Sequence, residues 1–207
     1  MFKRKAKKES PNCEAAVAHL VSSKSSTHSQ KHISFRMASH FLFKQVGINF
    51  LAVDFDQTMI DIHTGGRWKG TSSELATHVR PVFIELLKLA NAQKMQIAIV
   101  TFSHQTQIIS EVLQTHFPFA QDIVIRARDN TWWYEGNGMT EGKQPYMASA
   151  VEELSNKNPE VKIEKITTLL IDDDFKNIEL AGSDGVRGVH VIPEQTHLIL
   201  QDILELR

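Results

Sequence analysis

A run of apolar residues, Phe50 to Val53, ends abruptly in two carboxylates two positions apart, Asp54 and Asp56, with Thr58 behind them. A short continuous apolar run reads as a strand buried on both faces, as in the middle of a parallel sheet. In such sheets ligands bind just beyond the carboxyl ends of the strands, where these two aspartates fall. Two acids that close repel each other, so one takes up a proton or a cation sits between them. The plain alternative for this stretch alone is a strand followed by an Asp-rich turn.

The rest of the chain repeats the pattern. Met37 to Phe43 suits a short helix ahead of the first strand. His63 to Thr71, with GGRWKG, suits a hairpin or flap near the aspartates. Pro81 stands well at a first helical position, and Val82, Phe83, Leu86, Leu87 and Ala90 recur at helical spacing, predicting a helix to about Gln93. A second buried strand, Gln96 to Thr101, leads to Ser103 as an N-cap and a helix to about His116. Asp122 to Ala127 reads as a third strand, followed by Trp132, Trp133 and Tyr134, a cluster expected to pack. A helix from Pro145 to about Leu154 follows Lys143. A fourth strand, Thr167 to Ile171, ends in Asp172, Asp173 and Asp174. A helix from Phe175 to Ala181, a strand from Val186 to Ile192 and a helix from Glu194 close the chain. Strands alternating with helices predict an α/β, doubly wound, Rossmann-like parallel sheet.

Three of these strands end in polar chemistry: Asp54 and Asp56, Thr101, and Asp172 with Asp173. In a parallel sheet those ends share one edge, so the groups can meet in one crevice with Lys143. Four carboxylates and one lysine need a cation, and all-oxygen ligands nominate a hard one, Mg²⁺ where phosphate is handled. A helix N-terminus favouring negative charge would account for one or two of the later aspartates.

In this order of motifs the chain resembles the haloacid dehalogenase (HAD) superfamily of phosphatases: DFDQT at 54 to 58, VTFS at 100 to 103, Lys143 in EGKQPY, and IDDDFKN at 171 to 177. The resemblance covers about Gly47 to Ile192. The segment from Leu169 to Val191 is most similar to the small, capless, magnesium-dependent members. It implies that Asp54 is the nucleophile and forms an aspartyl-phosphate, and that Asp56 is the acid and base, with its carbonyl on the metal. It implies that Thr101 and the Phe102 N–H hold phosphate oxygens, and that Lys143 neutralises Asp54 and the phosphate; Lys157 is the alternative lysine. It further implies that Asp173, with Asp172 as second ligand or outer partner, completes a Mg²⁺ site also holding Asp54. The substrate is then a phosphomonoester. A phosphate-sensing or scaffold module on the same fold, without catalysis, is the competing function.

Charge is unevenly spread. Residues 1–48 carry nine Lys or Arg and two acids, against fourteen basic and twenty-two acidic residues in the remainder, so a basic tail precedes an acidic body. Residues 1–36, Lys- and Ser-rich, are expected to be a disordered tail, and 37–207 the phosphatase domain. The acidic body argues against nucleic acid as a partner except through the tail. The tail also leaves nuclear or organellar targeting open beside a cytoplasmic location. A single cysteine, Cys13, excludes an intrachain disulfide, and no apolar run approaches a membrane span. Between Thr58 and Thr101 lie 42 residues, and between Thr101 and Lys143 lie 41, both shared with predicted helices and strands. An independent domain needs roughly 50 residues or more, so no cap fits in either gap. An uncapped site predicts a bulky substrate, such as protein phosphotyrosine or phosphoserine, with the flap at Arg67 and Trp68 setting specificity.

Overall fold

Five short strands form one sheet in which every pairing is parallel: β1 (Phe50–Val53), β2 (Gln96–Val100), β3 (Val124–Arg126), β4 (Thr168–Asp172) and β5 (Arg187–His190), in the order β3-β2-β1-β4-β5. The computed structural model describes residues 37, 40–136 and 138–206; the expected tail at 1–36 and its boundary lie outside the described residues. The fold is α/β and Rossmann-like, as the alternation of elements predicts.

The strand side chains divide by the two-residue period of extended backbone. Leu51, Val53, Ile97, Ile99, Leu169 and Ile171 enter one apolar layer, while Phe50, Ala52, Ala98, Val100 and Leu170 enter the other. Helices cover both faces. α1 (Ser72–Ala76), α2 (Pro81–Ala92), α3 (Thr106–His116) and a C-terminal helix (Ile199–Leu204) supply the first layer through Leu75, Phe83, Leu86, Ile109, Val112 and Ile203. A four-residue helix, α4 (Gly138–Glu141), leads into α5 (Gln144–Lys157). α5 and α6 (Phe175–Ser183) supply the second layer through Tyr146, Ala150, Leu154 and Ala181. Both faces of β1 are therefore buried, which is what its unbroken apolar run requires.

Several boundaries move. Ser103 is not an N-cap: α3 starts three residues later, and Ser103 Oγ accepts instead from the Gln105 N–H at 3.2 Å. The Ser103 carbonyl takes the Arg128 N–H, so the connection after β2 is spent bridging to the loop after β3. The third strand keeps only Val124–Arg126, because Ala120–Asp122 tightens into a 3₁₀ turn. The last strand is trimmed to Arg187–His190, and Pro193–Leu198 forms kinked 3₁₀ turns before the C-terminal helix begins at Ile199. Ahead of β1 the helical segment is Phe41–Val46, later than expected. α1 was not foreseen, although Thr71 and Glu74 form a reciprocal capping box at its start. Among the described residues, the segments after β1 and β2 hold no inserted domain, and no helix is long and apolar enough to cross a membrane.

Candidate active site

β1 lies between β2 and β4, so the chain reverses its direction of sheet growth at the β1–β4 pair, and the crevice of the fold opens there. Val53 is level with Ile171 and Ile99, and the Asp54 N–H donates to the Ile171 carbonyl at 2.9 Å. The residues leaving these strands are thus Asp54 on one side and Asp172 and Asp173 on the other. One carboxylate oxygen from each of the three falls within 4.8 Å of the others.

Lys143 meets them from the N-terminus of α5. It is buried, with Nζ 2.5 Å from Asp54 Oδ1, 3.9 Å from Asp172 Oδ2 and donating to the Val100 carbonyl at 3.0 Å. Its ammonium lies 4.0 Å from the centre of the Phe102 ring, a favourable placement over an aromatic face. Phe102 in turn packs edge-on against Tyr146, and Tyr146 against Trp132, which stacks on Tyr134. The expected packing role holds for Trp132 and Tyr134; Trp133 departs from it, being 82 % exposed. Gly142 lets the lysine loop approach α6: with φ +59°, a Cβ there would sit 2.9 Å from Asn177 Oδ1. Lys157, the alternative lysine, is half-exposed on the surface and pairs with Glu153 at 2.6 Å.

The two aspartates after β4 are held differently. Asp172 is almost wholly buried; its Oδ1 accepts from the Asp174 N–H at 2.9 Å, and Asn177 Nδ2 lies 3.0 and 3.1 Å from its two oxygens. Asp173 is partly exposed; its Oδ1 accepts from the Thr58 hydroxyl at 3.0 Å, and its carbonyl accepts from His190 Nε2 at 2.9 Å. The sequence reading named Thr58 without giving it a role, and Asn177 and His190 escaped it. The Thr of DFDQT and the Asn of DDDFKN are the signals that mark Thr58 and Asn177.

Three carboxylates against one ammonium leave the crevice short of positive charge. Burial pushes the Asp54 carboxyl up to about 8, against the pull of Lys143 and with help from Asp172 and Asp173. Burial also raises Asp172, outweighing Lys143 and Asn177. Burial would lower Lys143, but Asp54 and Asp172 outweigh it and raise it. A cation bound among these carboxylates would oppose the upward shifts by favouring their charged forms. An all-oxygen donor set with surplus negative charge, two of its three carboxylates buried, suits a hard metal ion.

The remaining predicted residues flank this cluster. Thr101 is buried at the end of β2; its Oγ1 accepts from the Ser103 N–H at 3.2 Å, which leaves its own proton for another oxygen. Asp56 is not part of that cluster and meets the flap: Gln57 after it stands at φ +56°, and the Thr64 N–H and hydroxyl and His63 Nδ1 all approach its carboxylate. Arg67 is exposed on that flap. Trp68 is a fastening rather than a free surface residue, since its N–H and carbonyl pair with the Gln105 side-chain amide at 2.6 and 2.9 Å.

No family model matches the chain, and no curated protein matches it. Among solved structures, the HAD domain of the effector protein Lem4 from Legionella pneumophila, an inactive mutant, is similar over 76 % of this chain and 93 % of that one, at 18 % identity and a TM-score of 0.43.

Proposed function

We propose that the protein is a Mg²⁺-dependent phosphomonoester hydrolase that works through an aspartyl-phosphate on Asp54. The observation that carries this reading is the meeting of Asp54, Asp172 and Asp173 around one buried lysine at the β1–β4 switch point. Asp54 attacks phosphorus, its oxygen bonding as the bond to the leaving oxygen breaks. Asp56 gives that oxygen a proton, then takes one from the water that releases phosphate from Asp54. Thr101 and the Phe102 N–H hold phosphate oxygens, and Lys143 offsets their charge. Asp54, Asp173 and the Asp56 carbonyl would hold Mg²⁺, with Asp172 as their outer partner; the ion supplies charge neutralisation and orientation to the phosphoryl group when bound.

The absence of an inserted domain among the described residues after β1 and β2 supports a bulky substrate, such as protein phosphotyrosine or phosphoserine. Neither a membrane nor nucleic acid, outside the basic tail, is a partner in this reading. The test is hydrolysis of p-nitrophenyl phosphate with Mg²⁺, abolished by EDTA and by Asp54→Asn. Activity of that variant within about tenfold of wild type, only ~1.4 kcal/mol in barrier, removes the covalent mechanism. Phosphate binding without turnover in the wild type would favour a phosphate-sensing module instead. Phosphopeptides should be turned over with higher kcat/KM than small sugar phosphates, and a sugar phosphate that clearly wins removes the bulky-substrate reading.

A further inference from the structure

Thr64 grips Asp56 through two groups. Its N–H donates to Asp56 Oδ2 at 3.1 Å, and its hydroxyl oxygen lies 2.9 Å from both Oδ1 and Oδ2. The same hydroxyl accepts from the Gly66 N–H at 3.1 Å, so its single proton is directed at Asp56. His63 Nδ1, from an exposed ring, adds another donor to Oδ2 at 3.0 Å. Oδ2 therefore receives two N–H donors, while Oδ1 has only a share of one hydroxyl proton.

The flap that carries Thr64 is fastened on both sides. Ile60 and Val79 pair antiparallel at its base, and the Gln105 amide holds Trp68 from the loop after β2. Gly65 and Gly66, at φ +60° and +66°, turn the chain onto that same loop; a Cβ on Gly66 would lie 3.4 Å from the His104 nitrogen and 3.5 Å from Ser103 Cα. A side chain held from a fastened loop keeps one rotamer, which is what proton delivery over hydrogen-bond distance needs.

We infer that Thr64 is a positioning residue for proton transfer, locking Asp56 with Oδ2 turned into the flap and Oδ1 left as the atom that carries the proton. This rests on the phosphatase reading. In the first half-reaction Oδ1–H gives its proton to the leaving oxygen as the bond from Asp54 to phosphorus forms. In the second, Oδ1 takes a proton from the attacking water as that bond breaks. Throughout, Oδ2 stays on the Thr64 and His63 donors, so the flap does not have to open between the two transfers.

The experiment compares Thr64→Val and Thr64→Ser on p-nitrophenyl phosphate, whose leaving group departs without a proton, and on an alkyl phosphate, whose leaving group needs one. Thr64→Val should lower kcat/KM, which reports the first half-reaction alone, about tenfold or more on the alkyl phosphate, with a far smaller loss on the nitrophenyl ester. Thr64→Ser should restore the alkyl rate. Equal losses on both esters would make Thr64 a structural flap residue and overturn the inference, as would an unaffected alkyl rate. Failure of the wild type on both esters would overturn the phosphatase reading and this inference with it. Turnover by the wild type with no leaving-group dependence in Thr64→Val would overturn this inference alone.

Discussion

Thr58 and Asp173, 115 residues apart, hold each other through two hydrogen bonds: the Thr58 hydroxyl donates to Asp173 Oδ1 at 3.0 Å and accepts from the Asp173 N–H at 2.9 Å. One hydroxyl thereby sets both the backbone and the carboxylate of a proposed metal ligand. Replacing it with a methyl group removes both bonds while keeping the shape. Thr58→Val should raise the Mg²⁺ concentration needed for half-maximal activity by about tenfold or more, as outer partners of metal ligands do. It should also cost about 1–3 kcal/mol of stability, because the Asp173 N–H loses its acceptor. A Mg²⁺ titration and a urea melt read the two effects, and an unmoved Mg²⁺ midpoint contradicts the assignment.

Asp172 and Asp173 should separate by phenotype. Asp172 is buried against Asn177, so Asp172→Ala leaves a buried amide without its acceptor and should chiefly lower the urea midpoint. Asp173→Ala should chiefly weaken Mg²⁺ binding measured by calorimetry. If Asp172→Ala weakens Mg²⁺ more than Asp173→Ala, the two roles are exchanged.

Lys143 is the positive charge among three carboxylates. Lys143→Met should abolish turnover and, in EDTA, cost about 3–5 kcal/mol, as expected when a buried ion pair loses one partner. Added Mg²⁺ should return part of that stability by supplying the missing charge. Equal stability of variant and wild type in EDTA would show that the lysine does not balance the site.

The raised carboxyl of Asp54 gives a pH dependence with a definite sign. Between its ordinary value of 3.8 and about 8, the folded protein holds a proton that the unfolded chain has released. Metal-free stability should therefore fall as pH rises through that window. Asp172, raised in the same direction, adds to the trend. Mg²⁺ binding expels protons from the site, so its stabilising effect should grow with pH. Melting temperatures from pH 5 to 9, in EDTA and in Mg²⁺, test this against Asp54→Asn, which should flatten the metal-free slope. A wild-type slope no steeper than that of Asp54→Asn contradicts it.

The strands and α2 were legible because burial on both faces forces uninterrupted apolar runs, and because Pro81 fixes a helix start. The acidic strand ends were legible for the same reason: a buried run that stops at Asp marks where the sheet meets its crevice. What lay beyond the sequence were pairings between distant residues, Thr58 with Asp173 and Trp68 with Gln105, since spacing along the chain carries no trace of them. The N-cap assigned to Ser103 failed for a related reason. A serine ahead of a helical pattern satisfies a local rule, but here the loop answers to Arg128 across the sheet edge. α1 is a different kind of miss, because Thr71-x-x-Glu74 announces it locally, at the end of the stretch assigned to the flap.

The strand order also sets a timetable for synthesis. β1 emerges early and gains β2 as a neighbour soon after, but its other flank belongs to β4, which follows β1 by more than a hundred residues. At about 5–20 residues per second, the fully apolar central strand stands with one open edge for roughly 6–25 s. Open apolar edges recruit other strands, so the nascent chain is most exposed to aggregation in this interval. Asp172 and Asp173 and the strand that shields β1 leave the ribosome together, so the acidic cluster is completed as the core is protected.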